Sequence, residues 1–141
     1  MEPPVNGILA RKLALMDDYL RRLEGLPLPS FPQFCDDFFL RKAVERVLQV
    51  LVEGMVDVAE RWIALQGEPP PVTSGDAVAR LAEAGVISHG EVCQRMVKFR
   101  NFIVHHYASI DESILYDVLV NHLGDLRRFV EEVQRYVGRA G

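Results

Sequence analysis

Arg100-Asn101-Phe102-Ile103-Val104-His105-His106-Tyr107 places a guanidinium, two imidazoles and a phenol within eight residues. An arginine offers a planar, permanently charged fork that matches phosphate oxygens. A histidine gives or takes a proton near neutral pH, and a tyrosine carries a hydroxyl open to modification. Together these groups suit a phosphodiester. The chain as a whole is acidic, with a net charge of −4, yet Arg95, Lys98, Arg100, His105 and His106 gather around this one segment. A local basic patch on an acidic protein can guide a polyanion into one cleft.

At 100° per residue, Val92, Met96, Phe99 and Ile103 form an apolar stripe, with Arg100 and Tyr107 in or beside it. A buried guanidinium without a partner is costly, so Arg100 is expected to face a carboxylate, a cleft or a second copy of the chain. His105 follows by five residues and lies about 140° away on an ideal helix. The two converge only if the helix ends near His105 or a second subunit closes the site. A plainer reading is a basic last turn favoured by the helix dipole, followed by a tyrosine packed on the core with a wet hydroxyl. Residue chemistry alone does not separate the two.

Arg100, His105 and Tyr107, with Asn101 after the arginine, resemble the R-x4-H-x-Y motif of the HepT-like toxins in the HEPN superfamily. The stretch Arg41-Lys42-Ala43-Val44-Glu45-Arg46-Val47-Leu48-Gln49, continuing to Asp57-Val58-Ala59, is similar to that family's long second helix. The resemblance runs from about residue 8 to residue 137. It implies an all-α, HEPN-like up-and-down helical bundle with a long second helix, forming a homodimer. It implies the toxin of a type VII toxin–antitoxin system, a metal-independent endoribonuclease with a composite Arg/His site at the dimer interface. Arg100 and His105 would be catalytic, Asn101 and His106 supporting, and Tyr107 the residue AMPylated by a minimal nucleotidyltransferase antitoxin. No cofactor or metal is implied. The substrate would be RNA, since only RNA carries an internal 2′-hydroxyl nucleophile. The alternative is a non-catalytic helical binding module that contacts a nucleotidyltransferase partner or a nucleotide.

A chain of 141 residues is expected to form one domain over 1–141 and to bury a core without staples. Hydrophobic residues make up 49% and charged residues 26%, a globular balance rather than a disordered one. Cys35 and Cys93 are far apart in sequence and read as reduced thiols, buried as small apolar residues. The start Met1-Glu2-Pro3-Pro4 has no basic-then-apolar signal, and no apolar run approaches a membrane span. A cytoplasmic location follows as an expectation. None of His89, His105, His106 and His122 has a Glu three residues before it, which argues against a di-metal carboxylate bundle. Gly-rich phosphate loops, HExxH and CxxC are also missing. His89 and His122 read as structural or surface residues.

The elements that must position the motif follow from apolar periodicity and punctuation. Leu9, Leu13, Met16, Leu20 and Leu23 predict a helix over 5–24 that Gly25 ends, and Pro27, Pro29 and Pro32 keep the next stretch extended. A second helix is predicted over 33–65, ~50 Å long at ~1.5 Å per residue. Its apolar surface is broad enough to meet more than one neighbour, a second protomer among them. Glu45, Gln49, Glu53, Asp57 and Glu60 mark its polar side, any of which is a possible counter-charge for Arg100. After Gly67-Glu68-Pro69-Pro70-Pro71, capping-box spacings at Thr73/Asp76, Ser88/Glu91 and Ser109/Glu112 predict helices over 74–84, 89–106 and 111–137, with Gly85 ending the first. His122 falls inside the last helix, and Arg127, Arg128 and Arg135 are expected to face water. No strand pattern interrupts this all-α reading with one core.

Overall fold

The leucine run of the N-terminal segment becomes the buried side of α1 (Pro4–Glu24), where Leu9, Leu13, Met16, Leu20 and Leu23 all lose contact with water. The structure, a computed structural model, describes residues 4–105 and 111–140. Among these the chain forms six further helices: α2 (Phe31–Asp36), α3 (Phe38–Leu65), α4 (Ser74–Glu83), α5 (Gly90–His105), α6 (Glu112–Asn121) and α7 (Leu123–Ala140). One continuous apolar cluster joins all seven. The long helix is the third in order rather than the second, and its 28 residues span ~42 Å at ~1.5 Å per residue.

Two of the predicted helices are each split in two. The predicted helix over 33–65 breaks at Asp37, whose carboxylate accepts the Leu40 N–H at 3.0 Å and so starts α3, while its own N–H donates to the Phe34 carbonyl at 3.3 Å. The short α2 before it has its own capping box: Ser30 Oγ accepts the Gln33 N–H and the Gln33 side chain accepts the Ser30 N–H. Phe34 is fully buried beneath α2, and Tyr116 of α6 packs on Phe34 and Phe31 while donating to the Pro29 carbonyl at 2.6 Å. The predicted helix over 111–137 breaks at His122, which lies between α6 and α7 and not inside either. Its imidazole is held by Asp125 Oδ2 at 2.9 Å and Asp117 Oδ2 at 3.2 Å, side-chain bonds that stabilise a non-helical backbone here.

The capping predictions fare unevenly. Thr73 Oγ1 accepts the Asp76 N–H as expected, and Gly85 ends α4 with φ 79°, the left-handed conformation that glycine adopts without strain. Asp76, however, reaches back to the Val72 N–H rather than that of Thr73. Ser88 spends its N–H on Glu132 of α7, and α5 begins at Gly90. Asp111 caps α6 through the Ser113 N–H at 2.9 Å, and Ser109 lies outside the described residues.

Arg127 departs most from expectation. It does not face water: its guanidinium grips both carboxylate oxygens of Glu24, at 3.2 and 2.8 Å, and also bonds Asp17, tying α7 to α1. The bonds to Glu24, joined by those to Asp17, raise its already high pKa further. Arg128 and Arg135 are exposed as expected. Cys93 is buried, its thiol pushed up to about 12 by desolvation, whereas Cys35 is only half-buried; both are free. Among the described residues no helix is long and apolar enough to cross a membrane.

Candidate active site

The residues of the Arg/His segment are carried by α5, so what seats α5 positions the site. Cys93, Met96, Val97 and Ile103 face the core and fix its rotation. Its N-terminal end presses on α4 so closely that a Cβ at Gly90 would lie 2.6 Å from the Ala82 Cβ. The same end is braced from α7. His89 is buried, and its Nε2 donates to the Asp125 carbonyl at 3.0 Å. Because a carbonyl only accepts, Nε2 must carry a proton. Glu132 Oε1 stands 3.2 Å from the other ring nitrogen, without hydrogen-bond alignment, and accepts the Ser88 N–H at 3.1 Å. Burial pushes the Glu132 carboxyl up, but the Ser88 bonds and the charges of His89 and Arg128 outweigh it and hold the group below its ordinary range. His89 is thus structural, as the sequence reading had it.

The exposed side of α5 is cationic. Arg95 and Lys98 are exposed and Arg100 is half-buried. Lys12, Arg21, Arg22, Arg41, Lys42, Arg80 and Arg127 each hold a carboxylate, whereas Arg95, Lys98 and Arg100 hold none among the described residues, like the exposed Arg11, Arg46, Arg61, Arg128 and Arg135. None of the α3 carboxylates balances Arg100; Glu45 pairs with Lys42 and Asp57 with Lys12. Arg100 Nε is buried and has no hydrogen-bond partner among the described residues. An unmade bond of this kind costs about 1–3 kcal/mol, a penalty that a bound anion or a second chain would relieve.

His105 is the last residue of α5. Five residues of regular helix separate its position from that of Arg100 by ~7.5 Å along the axis and ~140° around it, so α5 by itself does not bring these positions to one point. His106 and Tyr107 lie outside the described residues. Asn101 is exposed and opens, with Lys98, on a cleft of about 510 Å³ at the start of α4. Arg95 lines a different cavity, between α5 and α6, of about 300 Å³. That cavity also exposes Asp117 and His122. Asp117 was passed over in the sequence, although its spacing to His122 and Asp125 is the signal for that carboxylate–imidazole–carboxylate cluster. At the start of α6, Glu112 stands 3.7 Å from Arg41 near the start of α3.

On this helical bundle, α5 carries an arginine and two further cations that no carboxylate balances among the described residues, an arrangement compatible with an anionic ligand. Residues 16–133 match the family described as Ribonuclease HepT-like, and the chain belongs to that family. Its class is therefore that of a ribonuclease, and the HEPN resemblance read from Arg100, His105 and Tyr107 is correct. The mRNA nuclease HepT of Shewanella oneidensis is 27% identical over 132 residues, covering 92% of this chain and 98% of that protein. The tri-AMPylated HEPN toxin of Shewanella oneidensis, solved in complex with its MNT antitoxin, superposes with a TM-score of 0.80 at 27% identity, over 91% of this chain and 97% of that one. YutE of Bacillus subtilis, a cytosolic protein of unknown function, reaches a TM-score of 0.82 at 17% identity over 95% of this chain and 91% of its own, a likeness of fold alone.

Proposed function

We propose that this chain is the toxin of a type VII toxin–antitoxin pair, a metal-independent endoribonuclease whose composite Arg/His site forms where two copies meet in the cytoplasm. The observation that carries the reading is Arg100, whose Nε meets no partner among the described residues, on the cation-bearing α5 of a HepT-like chain. His105 removes the proton from the RNA 2′-hydroxyl as general base. The 2′-oxygen then bonds to phosphorus, the P–O5′ bond breaks, and an imidazolium returns a proton to the leaving 5′-oxygen. The Arg100 fork stabilises the charge that builds on the non-bridging oxygens. Asn101 orients the phosphate or its neighbour, and His106 supports His105. A second copy supplies the convergence that a single helix does not, because its own Arg100 and His105 approach from across the interface.

The partner is a minimal nucleotidyltransferase antitoxin. It transfers AMP from ATP to the Tyr107 hydroxyl with release of pyrophosphate. Each attached AMP sets a negative phosphodiester near Arg100, occupying the guanidinium and repelling the RNA backbone. The likeness to an AMPylated toxin held by its MNT antitoxin supports this.

Product chemistry tests the nuclease reading. Cleaved RNA is expected to end in a 2′,3′-cyclic phosphate with a 5′-hydroxyl on the other fragment, and a 2′-O-methyl group at the cleaved position is expected to stop the reaction. Cleavage of the 2′-O-methyl RNA at that position would contradict it. Peptide mapping after incubation with the cognate nucleotidyltransferase, ATP and magnesium is expected to put the added mass on Tyr107. A Tyr107→Phe protein that nucleotidyl transfer still neutralises would remove that assignment.

A further inference from the structure

The cavity between α5 and α6 adjoins Arg100 without including it. Its floor and walls are apolar: Val92, Met96 and Phe99 from α5 face Ile114 and Val118 from α6. Phe99 immediately precedes Arg100 and supplies a ring, and Ile114 is 43% exposed, so this surface is open. The rim carries opposite charges that do not meet. Arg95 is exposed and has no carboxylate within ion-pair distance among the described residues, although Asp117 lines the same cavity.

Asp117 is held in place from behind. Its Oδ1 accepts the Asn121 amide N–H at 2.7 Å and its Oδ2 stands 3.2 Å from His122 Nε2, while His122 Nδ1 meets Asp125 Oδ2 at 2.9 Å. Each carboxylate oxygen keeps a second lone pair. A planar aromatic guest can lie against the Phe99 ring and the Met96 thioether, offer an N–H donor to Asp117, and place an attached anion against Arg95. An apolar slot with a few convergent polar groups is the usual form of a small-molecule site.

We propose that this cavity is a nucleobase subsite that receives a base next to the phosphate held by Arg100. The proposal deepens the RNA reading above and rests on it. The base stacks on Phe99, its exocyclic amine donates to Asp117, and the neighbouring backbone phosphate pairs with Arg95. Uracil offers a carboxylate only its ring N3–H, flanked on both sides by carbonyl oxygens that repel it, whereas adenine, cytosine and guanine each present an exocyclic amine, so the subsite favours those three over uracil. Stacking is tolerant of base identity, and the selectivity therefore comes from Asp117.

The test uses the full chain with methyl-labelled Val, Met and Ile side chains and non-cleavable 2′-O-methyl dinucleoside monophosphates as probes. The adenine probe is expected to shift the methyl resonances of Val92, Met96, Ile114 and Val118 and to bind at least about fivefold more tightly than the all-uracil probe, the scale of one base contact. Ile114→Trp, which fills the slot at an exposed position, is expected to abolish those shifts. Asp117→Asn is expected to erase the preference while stacking persists, and Arg95→Ala to weaken all probes alike. Methyls that stay silent, because the probes bind elsewhere or because a second copy already fills the groove, would overturn the subsite, as would equal binding of the adenine and uracil probes. RNA cleavage is scored separately. Cleavage with silent methyls rejects the subsite and leaves the nuclease standing, whereas shifted methyls without cleavage keep the subsite and reject the nuclease.

Discussion

Arg100 is placed to act as a two-pronged donor, because its Nε is withdrawn from water and no carboxylate among the described residues satisfies it. An ammonium at this position would keep the charge and lose the fork. Arg100→Lys is accordingly expected to lower RNA cleavage by about 10²-fold, the loss typical of one transition-state donor, with folding retained in a circular-dichroism melt. Cleavage within twofold of the parent would show that charge alone suffices. His106→Ala is expected to cost far less than His105→Ala in the same assay; equal losses would move the base away from a single imidazole. At this scale the sequence was legible in type and spacing, and it limited Arg100 to a carboxylate, a cleft or another copy. The carboxylate is now excluded among the described residues. Arg127 was misread because Glu24 and Asp17 sit on another helix, over a hundred residues away in sequence, where periodicity has no reach.

Helix α5 is held by contacts at its start, so the site depends on packing remote from the chemistry. Gly90→Ala would drive a methyl into the Ala82 methyl on α4, and it is expected to destabilise the fold by about 1–3 kcal/mol. Denaturant midpoints would read this, and an unchanged midpoint would mean that the two helices separate freely. Glu132 anchors the same end through the Ser88 N–H, and its carboxyl titrates below its ordinary value of 4.5. A group with a lowered folded pKa adds stability above its unfolded pKa and loses it as pH falls through the folded value. Glu132→Gln is therefore expected to be less stable than the parent near neutral pH. The gap should narrow from about pH 4.5 downward, and a gap that stays constant to pH 2 would contradict the assignment. The breaks at Asp37 and His122 were not legible because the apolar period runs through both. A cap at Asp37 and an imidazole held by Asp117 and Asp125 decide them, and those are side-chain bonds. The ends at Glu24, Leu65 and Glu83 were legible because glycine or proline follows each of them closely.

At the scale of the whole molecule, seven helices enclose one core and leave three cations of α5 without counter-charges among the described residues. The all-α class and most of the core were readable from leucine and valine spacing; the meeting of Arg100 with His105 was not, because it is not a property of one helix. The chain is expected to be a homodimer, and light scattering that returns the 16.0 kDa monomer at micromolar concentration would remove the composite site. The most direct test of the account is RNA cleavage by the purified protein in buffer containing a chelator, compared with His105→Ala at equal folded concentration. The account predicts cleavage that survives the chelator and falls by about 10²–10⁴-fold in the variant, the contribution expected of a general base. Cleavage that the chelator abolishes, or that the folded variant retains, would contradict it.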